Sequence, residues 1–266
     1  MTALTVRVEP TDRARAATAA STLATLPLRF AATEGDAEVV VVSGAGGWGD
    51  RARWAADGGA RAVIVTDPEP DASSVGLAQS PPGVPIVLAE AWASNPVLGA
   101  VSDAWADAIG RTTLLDVRST EPLGGRSPRA VLHAQLRAVG VLGVEVAALA
   151  VVATTPSAAL AVGRSATGSR IVLSTSRSAA ATATLDILGV GREATICIDV
   201  PDGTTARPGR ATSTTVDGTV ELPARWETAY RSAWGIAHKR VFTGGGGDDV
   251  AGFLRALELL EREPEV

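Results

Sequence analysis

Residues 37–68 read AEVVVVSGAGGWGDRARWAADGGARAVIVTDP and carry the strongest structural signal of this 266-residue chain. The four consecutive valines at residues 39–42 form a run that is too apolar for a strand with one solvent-exposed face. Such runs are typical of central strands in parallel sheets, which helices cover on both faces. The stretch therefore predicts a strand, a glycine loop, a helix and a second strand of an α/β domain.

The glycine loop matches the spacing G-x-G-x-x-G, with Gly44, Gly46 and Gly49 between the predicted strand and helix, and Asp67 ends the next strand. This is the context in which a dinucleotide-binding fingerprint occurs, and it makes these four residues candidates for holding NAD or NADP. A second interpretation remains open, because a glycine-rich chain often matches this spacing by chance. In that interpretation the segment is a tight loop that lines a cleft.

Composition excludes several classes of protein. The formal charge of −5 comes from 29 acidic and 24 basic residues without a basic block, so we expect no nucleic-acid partner. The chain shows no signal peptide and no apolar run of membrane-spanning length, which predicts a cytoplasmic protein without a membrane partner. Only His133 and His238 supply imidazoles, so we predict no multi-histidine metal site. We expect His238 at a helix surface or interacting with the dipole of a helix C-terminus, and Cys197 as a buried structural thiol.

Two domains are predicted, at residues 1–119 and 120–266. In the first, Thr11 or Asp12 is the expected N-cap of an alanine-rich helix, and residues 69–83 are expected to form a loop. A helix at residues 96–109 and a strand at residues 113–119 complete that domain. The second begins with a helix at residues 130–142, continues with five or six short antiparallel strands, and ends in helices.

Several segments resemble the glucose-fructose oxidoreductase and inositol dehydrogenase family (Gfo/Idh/MocA). VRVEPTDRARA, with Glu9, is similar to the family's second strand, and AEVVVVSG and GVPIVLAEAWASNP are similar to later pieces of its first domain. AVLHAQLRAVGVLG resembles a family motif and has His133 at the motif histidine. The resemblance implies a Rossmann-like parallel sheet followed by a larger, mainly antiparallel open sheet with flanking helices, and a small-molecule substrate between the domains.

The chain departs from the family pattern at three places. The family's first strand and glycine turn would precede Leu4, so we expect an N-terminally truncated Rossmann-like domain. The lysine of the family's EKP motif corresponds to Thr66 or Asp67, and the aspartate after the motif histidine corresponds to Gln135 or Leu136. We therefore expect no cofactor and a non-redox step, such as proton transfer, elimination or cyclisation. The alternatives are an NAD(P)-dependent oxidoreductase that uses the glycine loop, and an inactive subunit paired with a full-length relative.

Six residues are predicted to act on the substrate. We expect His133 and Glu90 to be catalytic, and the expected substrate-binding residues are Trp92, Asn95, Arg126 and Tyr230. His133 can exchange a proton near neutral pH, and residues 90–95 follow a strand at the sheet edge where α/β folds bind ligands. Five of the six also have a structural interpretation: His133 as a structural histidine, Trp92 as a packing residue, Glu90 as a solvated residue, Tyr230 as a core residue, and Arg126 as an exposed linker residue.

An open second sheet predicts self-association, because a free apolar face is rarely left exposed. We expect a homo-oligomer formed through this sheet. The residues predicted to supply that face are Val151, Ile171, Leu173, Leu185 and Ile187.

Overall fold

The computed structural model describes residues 3–244 and 249–262. The chain forms two compact units, and each contains a segment from near the C-terminus. The first comprises Met1–Ser94 and Ala229–Leu254, and the second comprises Asn95–Thr228 and Arg255–Val266. The boundary predicted after residue 119 is corrected, because it falls inside a strand, β6 (Thr112–Pro122), that belongs wholly to the second sheet.

Five parallel strands form the sheet of the first unit, in the order β2-β1-β3-β4-β5. Their bounds are β1 (Leu4–Val8), β2 (Phe30–Ala32), β3 (Val39–Ser43), β4 (Ala62–Thr66) and β5 (Ile86–Ala89). Every residue of β3, β4 and β5 is buried. The prediction of a central valine strand in a parallel sheet is confirmed.

Helices cover both faces of this sheet. They are α1 (Arg13–Ala24), α2 (Trp48–Asp57), α3 (Ser73–Gln79), α6 (Ala229–Thr243) and the beginning of α7 (Asp249–Glu261). On one face Trp234 of α6 packs edge-on against Phe30, with ring centroids 5.2 Å apart. On the other face Trp48 of α2 packs edge-on against Phe253 of α7 at 5.4 Å. The sheet therefore has the two-sided cover that its apolar strands require.

Two expectations for this unit are wrong. Residues 69–83 contain α3, a short helix that begins where Asp71 accepts a hydrogen bond from the Ser73 N–H at 3.2 Å. His238 is not at the surface: its ring is buried beside Phe30 and Phe242, at centroid distances of 5.6 and 5.0 Å. The burial of His238 depends on contacts that the packed unit supplies, whereas α3 begins with a contact between neighbouring residues.

Eight strands form the sheet of the second unit, in the order β13-β12-β11-β10-β6-β9-β8-β7. After β6, the strands are β7 (Val146–Thr155), β8 (Ala158–Ser165), β9 (Arg170–Ser178), β10 (Thr184–Gly191), β11 (Ala194–Pro201), β12 (Arg210–Thr215) and β13 (Gly218–Glu221). All neighbours pair antiparallel except β6 and β9, which are parallel. The predicted mainly antiparallel open sheet is confirmed, with more strands than expected.

One face of the second sheet packs against α4 (Pro96–Gly110) and α5 (Pro128–Val141). Four of the residues predicted to form a free apolar face lie in this buried layer instead: Ile171, Leu173, Leu185 and Ile187. Cys197 was predicted to be buried, but it is exposed because Ile196 and Ile198 take the inward positions of β11. The free face of the sheet is therefore the opposite one.

None of the helices in the described part of the chain combines the length and the apolar character needed to cross a membrane.

Candidate functional site

The strand order of the first sheet reverses at β1, which lies between β2 and β3. Open α/β sheets bind ligands beyond the carboxyl ends of their strands at such a reversal. Two turns meet this position: residues 9–12 after β1 and residues 44–47 after β3. The candidate site is therefore built from these two turns and from the loops that follow β4 and β5.

The glycine turn after β3 is tied to the end of β4. The Gly44 N–H donates to the Thr66 carbonyl, and the Gly44 carbonyl accepts from the Glu69 N–H, both at 2.8 Å. A Cβ at residue 44 would lie 2.3 Å from the Asp67 carbonyl oxygen. Glycine is thus required at residue 44 because two backbone segments approach closely there, whatever else the turn does.

Asp71 caps the N-terminus of α2, where a phosphate would sit in a nucleotide-binding turn. Its carboxylate accepts a hydrogen bond from the Gly47 N–H and another from the Ser73 hydroxyl at 2.7 Å, while the Gly49 N–H donates to the Ser73 Oγ at 2.9 Å. Burial raises the pKa of Asp71, but the hydrogen bonds from Ser73, Gly47 and Trp48 outweigh burial and hold this pKa below its usual value. The helix terminus already has an anion, supplied by the chain itself.

Arg51 holds the other side of the same turn. Its guanidinium donates to the carbonyls of Gly46, Ser43 and Ala45 at 2.8, 2.9 and 2.7 Å. Together with Asp71, it engages both the N–H and the carbonyl groups of the glycine turn. Side chains from α2 and from the loop after β4 therefore hold both kinds of backbone group in this turn.

The turn after β1 contains no glycine. Asp12 caps α1 by accepting from the Arg15 N–H at 3.0 Å, as predicted, and this bond lowers the pKa of Asp12 despite partial burial. The Arg15 guanidinium donates to Asp12 at 2.9 Å, to Glu69 at 2.5 Å and to the Asp67 carbonyl at 3.2 Å. Burial raises the pKa of Glu9, although Arg7 and Arg51 act in the opposite direction.

Asp67 adopts a strained backbone conformation at the end of β4. Its φ is +47°, the only positive φ outside glycine among the described residues. Its Oδ2 accepts a hydrogen bond of 2.7 Å from the hydroxyl of Tyr230, a buried residue of α6. Non-glycine residues with positive φ persist where surrounding contacts hold them, and they cluster at functional positions. The structure thus brings together two of the predicted site residues from distant parts of the sequence.

The carboxyl edge of the first sheet is strongly acidic. The loops that run from β1, β3, β4 and β5 to the next helix contain no basic residue. They contain six acidic residues: Glu9, Asp12, Asp67, Glu69, Asp71 and Glu90. Arg15 and Arg51 approach from the helices, and Arg15 forms ion pairs with two of these carboxylates, Asp12 and Glu69. Acidic side chains therefore outnumber these two basic ones at the edge.

Two more predicted residues follow β5 in the first unit. Glu90 is largely buried, and its N–H donates to the Ser94 Oγ at 3.0 Å. Trp92 is fully buried, which accords with the packing interpretation. Asn95 begins the second unit, where its side chain caps α4 by accepting from the Val97 N–H at 3.1 Å. All three residues are therefore buried, and the hydrogen bonds of Glu90 and Asn95 stabilise the turn at residues 90–95.

The remaining predicted residues lie in the second unit. His133 is buried on α5, two residues before Gln135, whose amide donates to the Ser119 Oγ at 2.9 Å and to the Ser174 carbonyl at 2.7 Å. Arg126 forms an ion pair of 2.5 Å with the buried Glu121. The interpretation of Arg126 as an exposed linker residue is wrong, because this pair fixes it beside the end of β6.

Sequence reasoning missed Asp71, Arg51 and Arg15 as residues of this edge. The order PDASS at residues 70–74 is itself a capping signal for α3. What the sequence does not indicate is that the same aspartate also reaches the Gly47 N–H, 24 residues away.

Neither a protein-family model nor a curated protein sequence matches this chain. Its structure, however, is similar to several solved oxidoreductases. An oxidoreductase from Sinorhizobium meliloti aligns with a TM-score of 0.77 at 11% identity, over 98% of this chain and 96% of that one. UDP-N-acetylglucosamine 3-dehydrogenase from Acidithiobacillus ferrooxidans aligns at 0.73 and 13%, with the same coverage. A 3-ketoreductase from Actinomadura kijaniata, in complex with TDP-benzene and NADP, aligns at 0.71 and 13%, again with that coverage.

The chain therefore has the fold of these solved oxidoreductases, a parallel Rossmann-like sheet followed by a larger, mainly antiparallel sheet. At such low identity the similarity establishes the fold and leaves the chemistry to the residues of this chain.

Proposed function

We propose that this protein uses the oxidoreductase fold without holding NAD or NADP at the carboxyl edge of its parallel sheet, and that it acts on a small uncharged or cationic metabolite by a non-redox step. Proton transfer, elimination and cyclisation are the proposed reaction types. The observation that carries the proposal is the Asp71 carboxylate at the N-terminus of α2, bonded to the Gly47 N–H. If the Gly44–Gly49 loop held a dinucleotide, its pyrophosphate would need that same position.

The energetics support weak dinucleotide binding. Micromolar affinity requires about 8 kcal/mol. Each hydrogen bond to a charged group contributes about 1.5–3 kcal/mol, and a pyrophosphate at this turn would first have to displace the bonds that Gly47 and Ser73 make to Asp71. It would also bring negative charge to an edge with six acidic residues. The residues present therefore do not fit a dinucleotide, and we expect NAD(H) and NADP(H) to bind more weakly than millimolar.

His133 and Glu90 remain our proposed acid and base. A histidine can exchange a proton near neutral pH, and a carboxylate at the end of a parallel strand can accept one. The proposed substrate-binding residues are Trp92, Asn95, Arg126 and Tyr230. Of these, Tyr230 has the strongest support, because its hydroxyl meets Asp67 at the acidic edge.

A second function has specific support and stays open as a proposal. The Actinomadura kijaniata neighbour is described as a complex with NADP, so an NAD(P)-dependent oxidoreductase is the natural alternative. In that case Gly46 would approach the pyrophosphate, Gly44 and Gly49 would allow the tight turn and its close packing, and Asp67 would meet a ribose. This requires Asp71 to leave the α2 terminus when the cofactor binds.

Calorimetric titration with NAD(H) and NADP(H) distinguishes the two functions. We expect no binding in the micromolar range for the unaltered protein. The matched variants are Gly46→Asp, which places a carboxylate in the turn, and Gly46→Ala, for which a Cβ meets no atom within 4 Å. Micromolar binding by the unaltered protein that disappears in Gly46→Asp, while Gly46→Ala shows that the turn itself tolerates a side chain, would establish the alternative and reject our proposal.

We also propose self-association through the second sheet, by other residues than those predicted from the sequence. The face opposite α4 and α5 presents partly exposed aliphatic side chains, which support a contact with another copy or with a full-length relative in an inactive-subunit role. They include Leu114, Leu160, Val162, Val172, Leu188 and Val190. Light scattering in the micromolar range tests this, because a strictly monomeric protein would contradict it.

A further inference from the structure

The two edges of the second sheet differ in their protection against pairing. The edge strand β13 (Gly218–Glu221) has four residues and ends in a glutamate, whose carboxylate lies 3.7 Å from the Arg210 guanidinium. The edge strand β7 (Val146–Thr155) has ten residues, VAALAVVATT, with no charged residue, proline or glycine. Short strands and charged side chains discourage edge pairing, whereas long uncharged strands invite it.

The outer half of β7 is uncovered on both sides. Within β7 only Leu149 is buried, on the face that α5 approaches. Val151 and Val152 are both exposed, and so is Val162 on the adjacent strand β8. Exposed valines on a strand with unpaired backbone groups offer both hydrogen bonds and apolar area to a further strand.

We propose that β7 pairs in antiparallel register with β7 of a second copy of this chain, across a two-fold axis. A strand without charge meets its own copy without like-charge repulsion, which favours a second copy over a charged peptide. The β13 edge is short and charged, so a head-to-tail addition of β7 to β13 is disfavoured. The remaining isologous contact closes on itself as a dimer.

The register irregularities of β7 locate the contact. Pairing with β8 is interrupted between Val146 and Ala148 and again between Val151 and Ala153. Bulges bend an edge away from a partner, so the regular segment between them is the part that can pair smoothly. We therefore place the centre of the contact at residues 148–151. This surface is distinct from the candidate site and independent of its function.

A matched pair of lysine substitutions tests the proposal. Val151 on β7 and Val220 on β13 are 38% and 60% exposed, and each lies on an edge strand of the same sheet. Sedimentation equilibrium should detect a dimer of the unaltered protein. We expect Val151→Lys to weaken dimerisation about tenfold or more, because it places a lysine within the segment that pairs, and Val220→Lys to leave it unchanged.

The other outcomes overturn the proposal. A monomer at the highest soluble concentration would do so, as would a dimer equally stable in Val151→Lys. Dissociation by Leu188→Lys, on the free face, together with resistance to Val151→Lys would assign the contact to that face instead. Thermal melts show whether each variant is folded. In folded variants, hydrogen exchange of the β7 amides should slow with protein concentration if β7 forms the contact.

Discussion

The turns that follow β1 and β3 lie at the same reversal of strand order, and each enters a helix capped by an aspartate. In the β1 turn the cap is local, because Asp12 accepts from Arg15 three residues later. In the β3 turn the cap comes from Asp71, which is 24 residues from Gly47. A glycine spacing thus specifies the shape of a turn. Whether the turn can bind an anion is determined by the groups that reach the N–H donors of the turn.

The largest expected effect concerns the indole that joins the β3 turn to the core. Trp48 is fully buried, packs against Phe253, and donates from Nε1 to the Glu69 carbonyl at 2.9 Å. Trp48→Ala should lower the free energy of unfolding by about 3–5 kcal/mol. The control is Trp54→Ala in the same helix, where the side chain is 67% exposed and the expected change is within about 0.5 kcal/mol. Urea unfolding followed by circular dichroism measures both, and equal losses would contradict the packing described for α2.

Two glycines of the β3 turn should respond differently to alanine. In Gly44→Ala the new Cβ would meet the Asp67 carbonyl at 2.3 Å, whereas in Gly46→Ala it meets nothing within 4 Å. We expect Gly44→Ala to cost about 1–3 kcal/mol or more, because backbone must move, and Gly46→Ala to stay within about 0.5 kcal/mol. If chemical unfolding shows Gly46 to be the more sensitive position, the turn does not rest against β4 as described.

The two aspartate caps can be compared directly. Asp71→Ala should cost about 2 kcal/mol, since it leaves the Gly47 N–H and Ser73 without their acceptor, and Asp12→Ala about 1 kcal/mol. Both folded-state pKa values lie below the usual range, so each contribution is complete above pH of about 4 and is lost as pH falls through the folded-state pKa. Unfolding measured against pH should show both deficits shrinking in acid. A deficit that stays constant below that range would contradict the carboxylate role.

Much of this architecture could be predicted from local sequence. The valine run indicated a buried parallel strand, and Asp12 signalled a helix start in its immediate neighbourhood. The alternation of residues between the two faces of β11 was also visible in the sequence. Which face is covered depends on where α4 and α5 pack, so Cys197 was assigned to the wrong face. The Asp71 cap was out of reach for the same reason, because it is a contact between loops brought together only by the sheet.

The smallest expected effect concerns His238, a buried histidine outside both turns. Its contribution to the pH dependence of stability can be distinguished from that of the two aspartate caps. Burial and the nearby Arg29 lower the pKa of His238, so the folded state favours the neutral imidazole. Stability is complete above the unfolded-state pKa of about 6.5 and falls as pH drops below it, by less than about 1 kcal/mol down to pH of about 5.5. His238→Phe should flatten this slope in thermal melts. An unchanged slope would assign it to other groups.

The proposal that this protein does not hold NAD or NADP is tested most directly by whether the Gly47 N–H stays bonded to Asp71 when a dinucleotide is present. The decisive measurement is an amide chemical-shift titration of the isotopically labelled protein with NADP+ up to millimolar concentration. We predict that the Gly47, Trp48 and Gly49 amides keep their positions, because Asp71 and Ser73 already occupy this helix terminus. Saturable shifts of these amides at micromolar NADP+ would contradict the account, since they would show that the cofactor replaces the aspartate.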